Sequence, residues 1–277
     1  MANVTVTTAA VYIPELWTKQ VEKPFDKALY SADVVTRRDA LVSSGGDTIH
    51  VPFVASVDAR NKAASTNVTY DANTESEVTV SINKHKYFAF TTEYISVLQS
   101  NYALQELYRE RGMEAVLRAI DTDLLGLHAS AGTNVSGGAT IDDADFLSAV
   151  YALDAGEIPQ ENRSAIVGHK FMNDLRGINK FTAYDQTGKT GLAVSGKANV
   201  PNLYGVDIYQ SGNVADDTTN THNLMFHKSG LSLAVQQKPK FHMEESVDVL
   251  GTKCAVDAVY GVAIERAAAV VDIERTS

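Results

Sequence analysis

The chain has 277 residues, 44% of them hydrophobic and 21% charged, enough to bury a core without disulfide or metal staples. A formal net charge of −10 argues against the basic surface that grips nucleic-acid phosphates, and a single cysteine, Cys254, excludes an intrachain disulfide framework. No window reaches the roughly 18 apolar residues of a membrane span, and Met1 to Gln20 lacks the basic-then-apolar order of a secretory signal, so a cytosol-like compartment is expected.

Residues 1–13 are rich in Thr, Val and Ala without clear periodicity, and Pro14 to Glu22 then reads as a short helix stopped by Pro24. Trp17, the only tryptophan, lies on it beside Leu16 and Val21. That is too little apolar surface to fold alone, so this segment is expected to dock elsewhere as an arm. After Gly45-Gly46, Thr48 to Val54 has strand composition, and Pro52 makes it an edge strand or a strand end. Residues 55–76 turn polar and small, with Arg60 and Lys62 among solvated neighbours. The chain returns through the alternating run Glu77 to Ile82 and continues to Tyr87-Phe88-Ala89-Phe90. Two extended limbs with a polar tip predict a long protruding hairpin, and a loop of that length is functional or disordered in a compact domain.

The strongest helix signal runs from Tyr102 to His128, with apolar residues at helical spacing. At about 1.5 Å per residue it spans roughly 40 Å, the length of a spine. Gly112 near its middle weakens the helix slightly and could mark a bend. Glu106, Glu110 and Glu114 recur every four residues, which places them on one face as a solvated or partner-facing stripe. The Gly/Ser/Asn segment Gly132 to Gly138 is the best internal boundary.

Beyond it, Asp142, Asp143 and Asp145 precede the apolar-periodic Phe146 to Leu153. Acids at a helix start read as capping, because the run lacks the glycine and distal glutamate of a calcium loop. Ser164 to Val167 reads as a strand, His169 to Arg176 as a helix and Gly205 to Tyr209 as a strand, an α/β module. The last 55 residues return to strand patterns at 224–226, 231–236, 255–266 and 268–273, all expected to pair beside the spine helix.

Catalytic constellations were sought at each candidate. Gly188-Lys189-Thr190 imitates the end of a phosphate-binding loop, but Ala183 stands where its first glycine is required. The seven histidines show no His-Glu-x-x-His spacing and no spacing of two histidines with a carboxylate. No Gly-x-Ser-x-Gly elbow is present, and Cys254 sits in an alternating apolar run that reads as core. No catalytic, cofactor-binding or metal-ligating residue is therefore expected. The basic clusters Arg37-Arg38 and Lys84-His85-Lys86 suit ion pairs between subunits better than a nucleic-acid site.

The order of parts resembles the HK97-like major capsid proteins of tailed bacteriophages. Its most specific stretches are Ile158 to Val167, with a proline and an arginine leading a strand, and Asn199 to Ser211, with a glycine leading another. Ile13-Pro14-Glu15-Leu16-Trp17 is also similar to phage capsid arms. The resemblance implies an α+β protein divided into an N-terminal arm (1–45), an extended β-hairpin loop (46–92), a peripheral domain with the spine helix (93–135 and 223–277) and an α/β axial domain (136–222). It implies a structural protein, not an enzyme, that self-assembles into the pentamers and hexamers of an icosahedral head. The head would enclose double-stranded DNA without sequence-specific binding. It implies assembly in the host cytoplasm and residence in the virion, with no membrane. Portal and decoration proteins are implied partners. The chain starts at the arm without a helical leader, so a separate scaffolding protein is expected. Expected intersubunit contacts are Trp17, and Arg60 or Lys62 against Glu106, Glu110 or Glu114 of a neighbour. Covalent crosslinking through Lys62 is not expected, since no partner asparagine is identifiable. Alternatives are an encapsulin-like nanocompartment shell protein, another virion component such as a tail protein, or a cytosolic α/β enzyme with an unrecognised site.

Overall fold

A computed structural model describes residues 29–43, 45–54, 57, 59–70, 75–99, 104–178 and 202–276. The expected arm helix with Trp17, and the Gly188-Lys189-Thr190 segment, lie outside them. Two helical turns, α1 (Ser31–Val34) and α2 (Asp39–Val42), flank the short strand β1 (Thr36–Arg37). Strands β2 (Thr48–Val54), β3 (Glu75–Ser81) and β4 (Lys84–Glu93) lead to α3 (Tyr94–Gln99) and the long helix α4 (Leu104–Leu125), which ends in a 3-10 turn, Gly126–Ser130. There follow β5 (Thr133–Ser136), α5 (Asp143–Ala155), β6 (Arg163–Val167), α6 (His169–Gly177), β7 (Asn202–Leu203), β8 (Val206–Gln210) and β9 (Ala215–Asp216). The chain then continues through β10 (Asn220–His227), β11 (Leu231–Ser246), β12 (Gly251–Ile264) and β13 (Val270–Thr276).

Among the described residues the strands form a four-stranded sheet, β1-β11-β12-β4, a seven-stranded sheet, β5-β13-β10-β6-β8-β7 with β9 beside β10, and the separate ribbon β2-β3. Side-chain alternation sorts each strand between two faces. On the larger sheet Met225, Ala165 and Val271 meet Phe146, Leu153, Phe171 and Leu175 of α5 and α6. Their neighbours Leu224, Ile166 and Val270 point the other way, into a core shared with Val116, Ile120 and Leu124 of α4. Every residue of β6 is buried, as expected of a strand covered on both faces.

The capping reading holds: the Asp142 side chain accepts from the Asp145 N–H, and the Asp145 carboxylate accepts from the Asp142 N–H. The proline-arginine signature also has a physical basis. Arg163 is 2% exposed, donates to the Pro159 carbonyl at 2.9 Å and pairs with Asp154 at 2.7 Å, fastening the end of α5 to the start of β6.

Three expectations gain detail. The 132–138 segment is not merely a boundary, because β5 within it runs parallel to β13. The last strands divide between two sheets: β11 and β12 join the four-stranded sheet and β10 and β13 are interior strands of the larger one, where Leu224, Phe226 and Val270 still pack in the core of the long helix. Gly112 serves close approach of the long helix to β4 and β12. A Cβ there would lie 2.7 Å from Phe88 Cδ1 and 3.1 Å from Val256 Cγ2. Gly112→Val is accordingly expected to destabilise the fold by about 2 kcal/mol through overpacking, read as a lowered urea midpoint.

Candidate assembly surfaces

The ribbon β2-β3 is a seven-pair antiparallel hairpin, Thr48 opposite Ser81 through Val54 opposite Glu75. Its base is held in a small apolar core. Ile49 and Val80 pack on Ala234, with Ile82 and Ala263 beside them. Ala234 faces away from Leu233 and Val235, which enter the α4 core, so the small residues on the reverse face of the four-stranded sheet form a seat. Further out, Arg266 lies over the Phe53 ring at 5.3 Å. Residues 59–70 are all exposed, and Val54, Val57, Val68 and Tyr70 are 75%, 72%, 59% and 91% exposed. An apolar row left in water on an extended ribbon marks a surface that another molecule covers. Arg60 and Lys62 sit on this exposed segment.

On α4, Glu106 and Glu110 are exposed and Glu114 is half-buried. The stripe exists, but partly compensated within its own helix: Arg109 approaches Glu106 at 3.7 Å and Arg111 approaches Glu114 at 2.8 Å. The basic clusters also differ from expectation, since they pair inside the chain. Arg37 meets Asp39 at 2.7 Å, and Arg38 meets Glu265 at 2.9 Å. Lys84 and Lys86 share Asp123 at 3.2 and 3.6 Å, and His85 meets Asp257 at 2.9 Å. Asp123 also accepts from the Tyr260 hydroxyl at 2.7 Å. Apart from Asp39, two residues from Arg37, these partners lie far away in sequence, which is why local reading assigned the clusters to neighbours.

A second apolar surface was not anticipated. Ile95 and Leu98 of α3 are 59% and 86% exposed, and Met243, Val247 and Leu250 at the β11-β12 tip are 63%, 86% and 67% exposed. The Tyr94 N–H donates to the Leu250 carbonyl at 3.0 Å, joining α3 to that tip. The available signal was Ile95-Ser96-Val97-Leu98, a short apolar run outside any long periodic segment.

Sequence spacing also missed a cluster behind the end of α4. The His128 and His222 rings stack at 3.9 Å between centroids, and His222 Nδ1 lies 2.7 Å from Asp272 Oδ2. Burial holds His128 below the usual imidazole range, and His222 pushes the same way. Burial raises the Asp272 carboxyl to about 6 against the pull of His222. Cys254 is buried, as its apolar run implied.

The phage capsid protein family matches residues 35–277. Among solved structures, a chain of Mycobacterium phage Che8 is similar at 25% identity and a TM-score of 0.84, covering 95% of this chain and 97% of that one. A chain from the capsid of the cyanophage P-SCSP1u is similar at 16% identity and a TM-score of 0.81, covering 99% and 96%. One from the mature capsid of bacteriophage PhiM1 is similar at 12% identity and a TM-score of 0.76, covering 95% and 92%. No curated protein sequence matches the chain.

Proposed function

We propose, from the premise that this chain belongs to the phage capsid protein family and is a major capsid protein of the head shell, that its copies gather into pentamers and hexamers around double-stranded DNA. In that assembly the ribbon and its 57–70 extension lie over an adjacent subunit. The observation that carries this reading is the set Val54, Val57, Val68 and Tyr70, apolar and more than half exposed beyond the apolar seat of the ribbon. Residues 46–92 are then the extended loop and residues 1–45 the arm, with Trp17 docking on a neighbour. Sheet membership supports an axial body of 136–222 completed by β10 and β13, and a peripheral body of α4 with β4, β11 and β12.

Arg60 and Lys62 meet acidic residues of the neighbour, with Glu106, Glu110 and Glu114 as partners. Each exposed pair contributes about 0.2–1 kcal/mol, a small term multiplied over the copies of a shell. The subunit works as a structural protein without catalytic turnover. Assembly in the host cytoplasm draws on a separate scaffolding protein and a portal. The net charge of −10 suits a wall that contains a packed polyanion without adhering to it.

Electron microscopy and sedimentation of the purified protein, expressed with and without its neighbouring genes, test this reading. Closed shells or ring-shaped capsomers support it, shells filled with a cargo enzyme favour a nanocompartment, and a stable monomer under all conditions overturns it. A sharper prediction concerns the ribbon. Val54→Asp with Tyr70→Asp is expected to leave the subunit's own stability within about 0.5 kcal/mol, as surface changes do, while abolishing shell closure. Normal shells from that double variant would sink the ribbon's role.

A further inference from the structure

His128 lies in the 3-10 turn at the end of α4, His222 on β10 and Asp272 on β13. One potential ligand atom from each lies within 4.8 Å of the other two. Two of their polar atoms, His128 Nδ1 and Asp272 Oδ1, are buried without a hydrogen-bond partner. Asp272 is only 3% exposed. A carboxylate oxygen that far from water carries a desolvation cost that the single contact of Asp272 Oδ2 with His222 only partly offsets. Nearly every other buried polar side chain among the described residues has a partner, so two unsatisfied atoms in one cluster call for a common explanation.

At the mouth stand two further carboxylates. Asp217 Oδ2 is 3.5 Å from His222 Nε2, and Glu274 Oε1 is 4.0 Å from His222 Nδ1. Two imidazoles and a carboxylate are the donor types that zinc takes at about 2.0–2.2 Å, whereas calcium and magnesium favour all-oxygen sets. We propose that His128, His222 and Asp272 form a binding site for a divalent transition-metal ion of the zinc class, with Asp217 or Glu274 supplying a further oxygen. Binding requires the two stacked rings to splay so that their lone pairs converge. His128 is free to do so because it sits on a terminal turn. The bound ion ties the end of the long helix to two strands of the larger sheet.

The test uses the full chain, stripped with a chelator, then given Zn²⁺, with Co²⁺ as a spectroscopic probe. The expected result is one zinc per subunit retained after dialysis, a raised thermal midpoint as for any ligand of the native state, and cobalt ligand-field bands. His128→Ala is expected to weaken zinc binding by about tenfold or more and to remove the rise in midpoint. Asp272→Asn, nearly isosteric, is expected to do the same. His242→Ala is expected to change neither, because that residue belongs to the solvent-facing group where His85 and His242 both meet Asp257 at 2.9 Å. Substoichiometric zinc in the parent chain overturns the site. So does binding that survives His128→Ala and Asp272→Asn, or that is lost in His242→Ala.

Discussion

Gly261→Ala is expected to lower the unfolding free energy by about 3 kcal/mol and to prevent shells from closing. The obstruction is backbone against backbone. A Cβ at 261 would strike the Ser81 carbonyl oxygen and lie 2.9 Å from its carbon and 3.1 Å from Ile82 Cα. No rotamer change relieves such a contact. Ser81 and Ile82 are where the ribbon leaves the sheet, held by the Ile82 N–H donating to the Asp47 carbonyl at 2.7 Å. The substitution therefore unseats the ribbon as well as straining β12. A urea midpoint reports the first effect, and faster proteolysis within 57–70 reports the second. An unchanged midpoint with normal shells would show that the crossing can shift, which would remove the seat from the account.

Asp121→Ala is expected to cost about 3 kcal/mol, because it removes charge-assisted hydrogen bonds and strands their donors. Asp121 is 3% exposed on the long helix. Its Oδ1 accepts from both the N–H and the hydroxyl of Ser31, the N–H at 3.1 Å, and its Oδ2 accepts from Asn213 Nδ2 at 2.9 Å. These bonds fix α1, and so the point from which the preceding residues depart. Hydrogen exchange at 31–35 should rise in the alanine variant along with the loss in denaturation midpoint. Asp121→Asn, which keeps one carbonyl oxygen, should lose less. Equal losses in the two variants would mean that packing, not hydrogen bonding, holds α1.

Elements whose determinants are local were legible in the sequence. The 77–82 alternation gave a strand, the 3.6-residue apolar spacing gave the long helix, and the aspartates before Phe146 gave a capped start. What was not legible depends on meetings across the fold. Residues 237–246 look unlike a strand, with Pro239 and scattered charges, yet β11 runs to Ser246 because β12 pairs with it from Lys240 to Ser246. Its register shifts between Val235 and Gln237 and again between Gln237 and Lys240, the kind of irregularity that admits a proline. Thr133 to Ser136, small and polar, becomes a strand only because β13 offers it an edge. The reach of the charged clusters followed the same rule: Arg38 finds Glu265 and Lys84 finds Asp123 through tertiary contacts that no spacing announces. The His128, His222 and Asp272 meeting is of this kind too.

The larger sheet also sets a schedule. Among the described residues, strand β5 pairs only with β13, and β10 lies between β13 and β6. On a ribosome adding roughly 5–20 residues per second, β5 emerges on the order of ten seconds before the strand that satisfies it. Throughout that interval the ribbon and the long helix have been synthesised, but for most of it Ala234 and Ala263, on which the ribbon sits, have not both emerged. Pairings of such long sequence separation are slow in any case. The larger sheet is therefore completed only when the last described strand has been made.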